Sequence, residues 1–250
     1  MACLMHKFID PSQVTIGTFL GMGAPMAAEI AAVGGVDWVL VDLEHGGASE
    51  DLVGPTVVAG MAYGIPTLVR VESSERIRIG RALDAGAIGV MIPRIETPEQ
   101  VSAVVKHMSY PPFGDRGVAT YNRSAKWGRD LSGLTEKAKA ACIIQIETLK
   151  ALENVEAIAA IEGADLLFVG PLDLSFALGV PRDFKSPVFI EACLKVIAAA
   201  KANNKVAGIL AADAAAATAF IELGFKFIAI GSDATLLAGA ITNLVTQLKR

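Results

Sequence analysis

A (β/α)8 barrel, an α/β fold in a single domain over residues 1–250, is the architecture the sequence predicts. Three observations carry it. Eight short runs of β-branched and apolar residues recur along the chain, nearly every run is followed by a helical pattern, and 250 residues is the length that eight such units occupy. A doubly wound open sheet usually stops at fewer strands. Runs that are apolar on both faces and separated by helices describe a parallel sheet covered everywhere.

The first strand is expected over 15–20, Thr-Ile-Gly-Thr-Phe-Leu, with a helix over 24–33. Trp-Val-Leu-Val-Asp marks strand two over 38–42, and a helix over 50–62 follows its Gly46-Gly47 turn. Strand three, 67–71, reads Thr-Leu-Val-Arg-Val and leads to a helix over 74–84. Strand four spans 88–93 and its helix 98–107. The next connection is too long for the pattern. It holds Tyr110-Pro111-Pro112-Phe113-Gly114-Asp115-Arg116-Gly117, then a polar stretch with Asn122, Arg123, Trp127 and Arg129, before strand five at 142–146. A long loop of this kind in a compact barrel is usually functional, as a lid or a subunit contact. A helix over 149–161, strand six at 166–169, a helix over 187–203 and strand seven at 206–210 come next. A helix over 213–223 that starts at an Asp213 cap, strand eight at 227–230 and a closing helix over 233–249 complete the fold.

Composition narrows the function. Hydrophobic residues make up 53% of the chain, ample for a large core, and 22 Lys+Arg against 26 Asp+Glu leave a net charge of −4. Without a basic stripe, neither a nucleic acid nor an anionic membrane is an expected partner. The apolar runs fall well short of the roughly 20 residues that span a bilayer. Met1 to Asp10 carries no apolar segment of the signal-peptide kind, and Cys3, Cys142 and Cys193 are odd in number and lack CxxC spacing. A reducing cytoplasm is the expected setting, with Cys142 and Cys193 as small core residues.

Chemistry in such a barrel belongs at the C-terminal ends of the strands. Those ends deliver carboxylates, one His and one Arg: Asp42-Leu43-Glu44-His45 after strand two, Arg70 in strand three, Gln145-Ile146-Glu147 in strand five, and Gly170-Pro171-Leu172-Asp173 after strand six. Glu147 and Asp173, on adjacent strand ends with no lysine beside them, either share a hard divalent cation or act as helix caps. No His or Cys lies near enough in sequence to complete a zinc shell. His45, in a turn between strand and helix, is placed like a general base or is a surface-loop histidine. Arg70 either pairs with a core carboxylate such as Asp42 or presents its fork to an anionic substrate. No strand carries a lysine for Schiff-base chemistry, Lys205 and Lys226 precede theirs at the wrong face, and neither GxGxxG nor GK[ST] is present.

At these residues the chain resembles the HpcH/HpaI aldolase family of metal-dependent class II pyruvate aldolases. The fragments that carry the resemblance run along most of the chain: Trp38 through Gly46, Leu68-Val69-Arg70-Val71, Arg81 through Ala87, Gln145-Ile146-Glu147-Thr148, and Leu167 through Ser175. The resemblance implies aldol cleavage of a 4-hydroxy-2-oxo acid to pyruvate, or a related 2-oxo acid, and an aldehyde. It implies that Glu147 and Asp173 hold Mg²⁺, Mn²⁺ or Co²⁺, that His45 is the proton acceptor, and that Arg70 stabilises the enolate. Gln145, Gly170, Leu172 and Asp173 would contact the 2-oxo acid, with Asp42 and Glu44 supporting from behind and no PLP, NAD or Schiff-base lysine involved. Asp84 would raise the basicity of the histidine. Asp84 ends the third helix, which topology puts at the bottom of its own barrel, so that role requires another subunit; a homotrimer or homohexamer is expected. Glu72 after Val71, where many relatives have Pro, and Phe113, where many have a basic residue, are departures on the aldehyde side. A citrate lyase β-like acyl-CoA lyase, with Arg123, Lys126 and Arg129 meeting the CoA phosphates, and a catalytically inactive barrel used for binding or assembly are the alternatives.

Overall fold

The computed structural model describes residues 8–135 and 140–249. Eight parallel strands close into one barrel in sequence order: β1 (Thr15–Leu20), β2 (Trp38–Asp42), β3 (Thr67–Arg70), β4 (Gly89–Ile92), β5 (Ala141–Ile146), β6 (Leu166–Val169), β7 (Val206–Ala211) and β8 (Phe227–Ser232). The fold class expected from the sequence is the one observed. Closure leaves no unpaired strand edge. The described helices are α1 (Met26–Val33), α2 (Val53–Ala62), α3 (Arg76–Asp84), α4 (Pro98–Met108), α5 (Leu149–Glu153), α6 (Val155–Ala159), α7 (Pro171–Ala177), α8 (Pro187–Ala202), α9 (Ala214–Leu223) and α10 (Asp233–Leu248).

The barrel is filled by side chains. Phe8 lies in the same buried cluster as Phe19, Trp38, Leu40, Phe168 and Phe227. Trp38 stacks on Phe227 with ring centroids 3.9 Å apart. Volume is balanced by glycine: a Cβ on Gly17 would meet the Trp38 ring at 2.0 Å, and one on Gly208 would meet Phe168 and Phe227 at 2.9 Å. A second cluster, between the strands and the helices, is mostly aliphatic, with Phe189, Phe220 and Phe225, and contains both Cys142 and Cys193. Burial pushes both thiols up, Cys193 to about 12, so they behave as small hydrophobes. Cys3 and the rest of the segment 1–7 lie outside the described residues.

Three differences from the sequence reading have physical causes. The helix expected over 149–161 breaks at Asn154, whose side chain donates to the Glu96 carbonyl at 2.8 Å. A helix that was not expected, α7, follows β6 directly: Gly170-Pro171 reads as a breaker, yet a proline at the first helical position is pre-set for the turn. The long connection before β5 is, over its described residues 109–135, not a lid over its own mouth. It leaves the end of α4 and leads to the start of β5, and in a parallel barrel both lie at the face opposite the C-terminal strand ends. Residues 109–135 are held by Arg116, which is buried, pairs with Asp84 and lies 4.6 Å over the Tyr110 ring, and by the Arg123 N–H, which donates to the Asp84 carbonyl at 3.2 Å.

Two helices keep apolar residues in solvent. Along α10, Leu236, Leu237, Ile241, Leu244, Val245 and Leu248 are all exposed, and no α10 residue is buried; α1 exposes Met26, Ile30 and Val33. Among the described residues no helix is long and apolar enough to cross a membrane.

The filled interior makes a direct test. Gly17→Ala drives a methyl into the Trp38 ring and should destabilise the protein by about 1–3 kcal/mol in urea titrations. Gly54→Ala, at a site in α2 with nothing within 4 Å of the new Cβ, should be neutral or stabilise by about 0.5–1 kcal/mol.

Candidate active site

At the C-terminal mouth, Asp42 and Arg70 are register partners on β2 and β3. Their side chains therefore leave the sheet side by side. Arg70 Nε donates to Asp42 Oδ1 at 2.8 Å and Nη2 to Oδ2 at 2.7 Å, a bidentate fork with both groups buried. Of the two readings left open by the sequence, the core pair is the one formed, and it leaves Nη1 for the mouth. Nη1 lies 3.0 Å from Glu44 Oε2 and 3.5 Å from Gln145 Oε1. The Phe19 ring faces the guanidinium at 5.2 Å, a contact the sequence reading missed because a lone aromatic in an apolar strand carries no signal of its partner. Burial works against the Asp42 charge, but the Arg70 hydrogen bonds and charge outweigh it and hold its carboxyl below the usual range.

Glu147, just past β5, is buried. Its Oε1 accepts the Arg94 N–H at 2.8 Å and its Oε2 accepts from Gln145 Nε2. Arg94 reaches this position with φ +53, and only its backbone takes part, so no side-chain pattern announced it. The helix-cap reading fails for Glu147: the cap of α5 is Thr148, whose side chain accepts the Ala151 N–H at 3.1 Å. Gly170 packs against the pair so closely that a Cβ there would lie 2.8 Å from both Gln145 Nε2 and Glu147 Oε2. Any other residue would fill the space in front of the carboxylate.

Asp173, expected at the end of strand six, lies instead in the first turn of α7, with exposed Leu172 before it. The acidic residue there also suits the helix dipole. Burial raises the Glu147 carboxyl above its usual value, and the charges of Glu44 and Asp173 push it further. Glu44 is likewise raised, first by burial and then by Asp42 and Asp173, against the pull of Arg70. The Glu44 and Glu147 carboxyls thus both lie in the field of Asp173 at the mouth. Among the described residues no three His, Cys, Asp or Glu side chains are close enough to form a complete metal cage. The donor set is carboxylate oxygen only, crowded and partly desolvated, which fits a hard cation that keeps waters and takes further ligands from a substrate.

His45 is exposed, with its backbone N–H donating to Asp42 Oδ1 at 3.3 Å and its ring Nε2 3.8 Å from Glu44 Oε2. The Asp42 carboxylate therefore serves both the Arg70 fork and the turn that presents His45. Asp84 is at the end of α3, on the opposite face from His45 in its own chain, where Arg116 pairs with it. Within one chain the structure brings together Asp42, Glu44, His45, Arg70, Gln145, Glu147, Gly170 and Asp173, and leaves Asp84 apart. At the other face, Lys205 donates to the Ile161 carbonyl, beside Asp165, away from the mouth.

Known proteins can be set beside this geometry. A 2-keto-3-deoxy-L-rhamnonate aldolase from Salmonella paratyphi A is 37% identical over 239 residues, 94% of this chain and 88% of that one. The crystal structure of an HpcH/HpaI aldolase/citrate lyase family protein from Burkholderia cenocepacia matches with a TM-score of 0.93 and 35% identity, covering all of both chains. An HpcH/HpaI aldolase from Desulfitobacterium hafniense matches with a TM-score of 0.88 and 30% identity, over 95% of this chain and 93% of that one. These relatives support an enzyme of the carbon–carbon lyase type. The model of the HpcH/HpaI aldolase/citrate lyase family matches residues 15–240, and with a closed barrel whose mouth gathers Arg70, Glu147 and their carboxylate neighbours, the chain belongs to that family.

Proposed function

We propose that this chain is a divalent-metal-dependent aldolase that cleaves a 4-hydroxy-2-oxo acid into pyruvate, or a related 2-oxo acid, and an aldehyde. The observation that carries the reading is the pairing of a buried guanidinium with an all-oxygen acidic site at one barrel mouth. The 2-keto-3-deoxy acid in the names of the relatives supports the same substrate class. Glu147 and Asp173 would hold Mg²⁺, Mn²⁺ or Co²⁺, which supplies Lewis-acid polarisation of the 2-oxo group. Arg70 adds a fixed positive charge for the enolate oxygen, aligned before the reaction by Asp42. Gln145, Gly170 and Leu172 shape the space around the 2-oxo acid. His45 takes the proton from the C4 hydroxyl as the C3–C4 bond breaks, and its electron pair becomes the enolate. Neither PLP, NAD nor a Schiff-base lysine has a part in this scheme, and the proposed setting is the cytoplasm.

The acyl-CoA lyase alternative is less well supported. The guanidinium of Arg123 is stacked 5.0 Å over Trp127, and Lys126 pairs with Asp130 at 2.8 Å, so two of the three cations that would meet CoA phosphates are engaged. An inactive barrel has no use for a buried Glu147 whose charge is opposed by Glu44 and Asp173.

A homotrimer or homohexamer is part of the same reading. Solvent-exposed apolar residues along α10 and α1 favour burial against another copy. The segment beside Asp84 exposes Val118, Tyr121 and Trp127, which would bring Asp84 of one subunit to His45 of another.

Chelation by EDTA should abolish pyruvate release, Mn²⁺ or Co²⁺ should restore it, and Glu147→Ala should lose metal binding in titration calorimetry. Borohydride with pyruvate should leave the protein unlabelled in mass spectrometry; a covalent adduct on a lysine would overturn the class. His45→Ala should slow cleavage by roughly 10²–10⁴ with metal affinity little changed. For assembly, mixing inactive His45→Ala and Asp84→Ala chains should regenerate some activity once subunits exchange. A monomer in light scattering, or a mixture that stays inactive after exchange, would refute the shared site.

A further inference from the structure

The turn that carries His45 is tied to the far end of the chain by a short relay of hydrogen bonds. Asp233, the first residue of α10, turns its carboxylate to the loop after the adjacent β1: Oδ1 accepts the Gly21 N–H at 2.9 Å and Oδ2 the Met22 N–H at 3.2 Å. The Gly21 carbonyl in turn accepts the Gly47 N–H at 2.6 Å, two residues beyond His45. Between them Gly46 is wedged, because a Cβ there would lie 2.3 Å from the Asp42 carbonyl and 3.0 Å from Gly21 Cα. The route exists because the β1–β8 register slips between Gly17 and Phe19. Phe19 is thereby set opposite Ser232, and the next residue, Asp233, comes within reach of the loop after β1.

We infer that Asp233 is a positioning residue for His45, acting through the Gly21–Gly47 hydrogen bond. The inference rests on the proposed role of His45 in proton transfer. Asp42 fixes the near side of the turn through its bonds to the Glu44 and His45 N–H groups at 3.1 and 3.3 Å, and the relay fixes the far side. An exposed histidine held at both ends of a glycine-containing turn has its reach defined by backbone rather than by packing of its own ring. Asp233 needs no contact with substrate for this.

Asp233→Ala removes both acceptors for the loop after β1. Cleavage of the 4-hydroxy-2-oxo acid should then fall in kcat by about 10²-fold, the cost of a displacement of about 1 Å, while KM and Mn²⁺ affinity stay within about twofold. Asp233→Asn, which keeps one carbonyl acceptor for the Gly21 N–H, should recover most of the loss. Hydrogen exchange reads the relay independently of activity: in Asp233→Ala the Gly21, Met22 and also the Gly47 amides should lose protection by about tenfold or more, with the β2 and β3 amides unchanged. Ser232→Ala is the control, because it weakens the start of α10 without touching the loop, and Gly47 protection should stay. Unchanged Gly47 exchange in Asp233→Ala, or a Ser232→Ala variant that loses activity and Gly47 protection to the same extent, would overturn the inference. If Asp233→Ala does not fold, Asp233→Asn decides it by the same exchange comparison, with Met22 expected to be released first. A wild-type protein that cleaves no 4-hydroxy-2-oxo acid would sink the proposed function instead, and the exchange result would still judge the relay.

Discussion

A guanidinium at the top of a barrel filled with aromatic and aliphatic side chains cannot be solvated from below, so its counter-charge must come from the neighbouring strand. In this chain the register supplies it: Asp42 and Arg70 are partners on β2 and β3 and close a two-bond fork. Much of the mouth is arranged around that pair. The remaining Arg70 nitrogen orients toward Glu44 and Gln145, Gln145 bonds Glu147, and the second lone pairs of Asp42 hold the backbone of the His45 turn. Truncating either partner of such a buried pair is costly because the other is left charged without compensation. The geometry is thus fixed before a substrate arrives, which is the condition under which fixed charges stabilise a developing enolate most.

What the sequence made legible follows the physics of each element. Strands buried on both faces read as largely apolar runs, with their few charged or amide residues at the C-terminal ends, so all eight were visible, with ends off by a residue or two where flanking residues are also apolar; β5 begins at Ala141 and β7 runs on to Ala211. Polar residues after such runs stand out, and for that reason Asp42, Glu44, His45, Arg70, Gln145 and Glu147 could be placed at the mouth from spacing alone. The helix α7 was hidden because the same Gly-Pro pair reads as punctuation or as a start, and only the strand beneath decides which. The Arg94 N–H and the Asp233 relay were hidden for another reason. Both act through backbone groups, and no local pattern encodes a partner that lies on the next strand end, 53 residues on, or across the closure of the barrel, 212 residues away.

The uneven burial of the helices has its own logic. α8 and α4 bury one face against the strands, while α10 buries no residue and exposes six large aliphatic ones. A helix of 16 residues gains little stability from propensity alone, and its apolar face normally needs a partner surface. Its start is well built, with Ser232 and Thr235 forming a reciprocal cap and Asp233 anchored to the loop after β1. A helix firmly rooted at its start yet with no buried residue along its length is the physical ground for the oligomer put forward in the proposed function.

The position of Asp84 completes that reasoning. In one chain it is at the wrong end of the barrel to touch His45, and Arg116 already engages Oδ1. A carboxylate has two oxygens, and a fork that holds one of them fixes the direction of the other without consuming it. Arg116 itself is buried, with its Nε lacking an acceptor, and is stacked on Tyr110, so this cation is committed to its own subunit. The neighbouring Val118, Tyr121 and Trp127 face solvent from the same segment. The described residues 109–135 would, in the proposed assembly, do for Asp84 what Asp42 does for Arg70: they would hold a charge that its own barrel does not use, beside exposed apolar residues. In the proposed assembly, insertion, acid and exposed aromatics serve one purpose, to complete at a neighbour's mouth the base that each chain leaves unsupported in solvent.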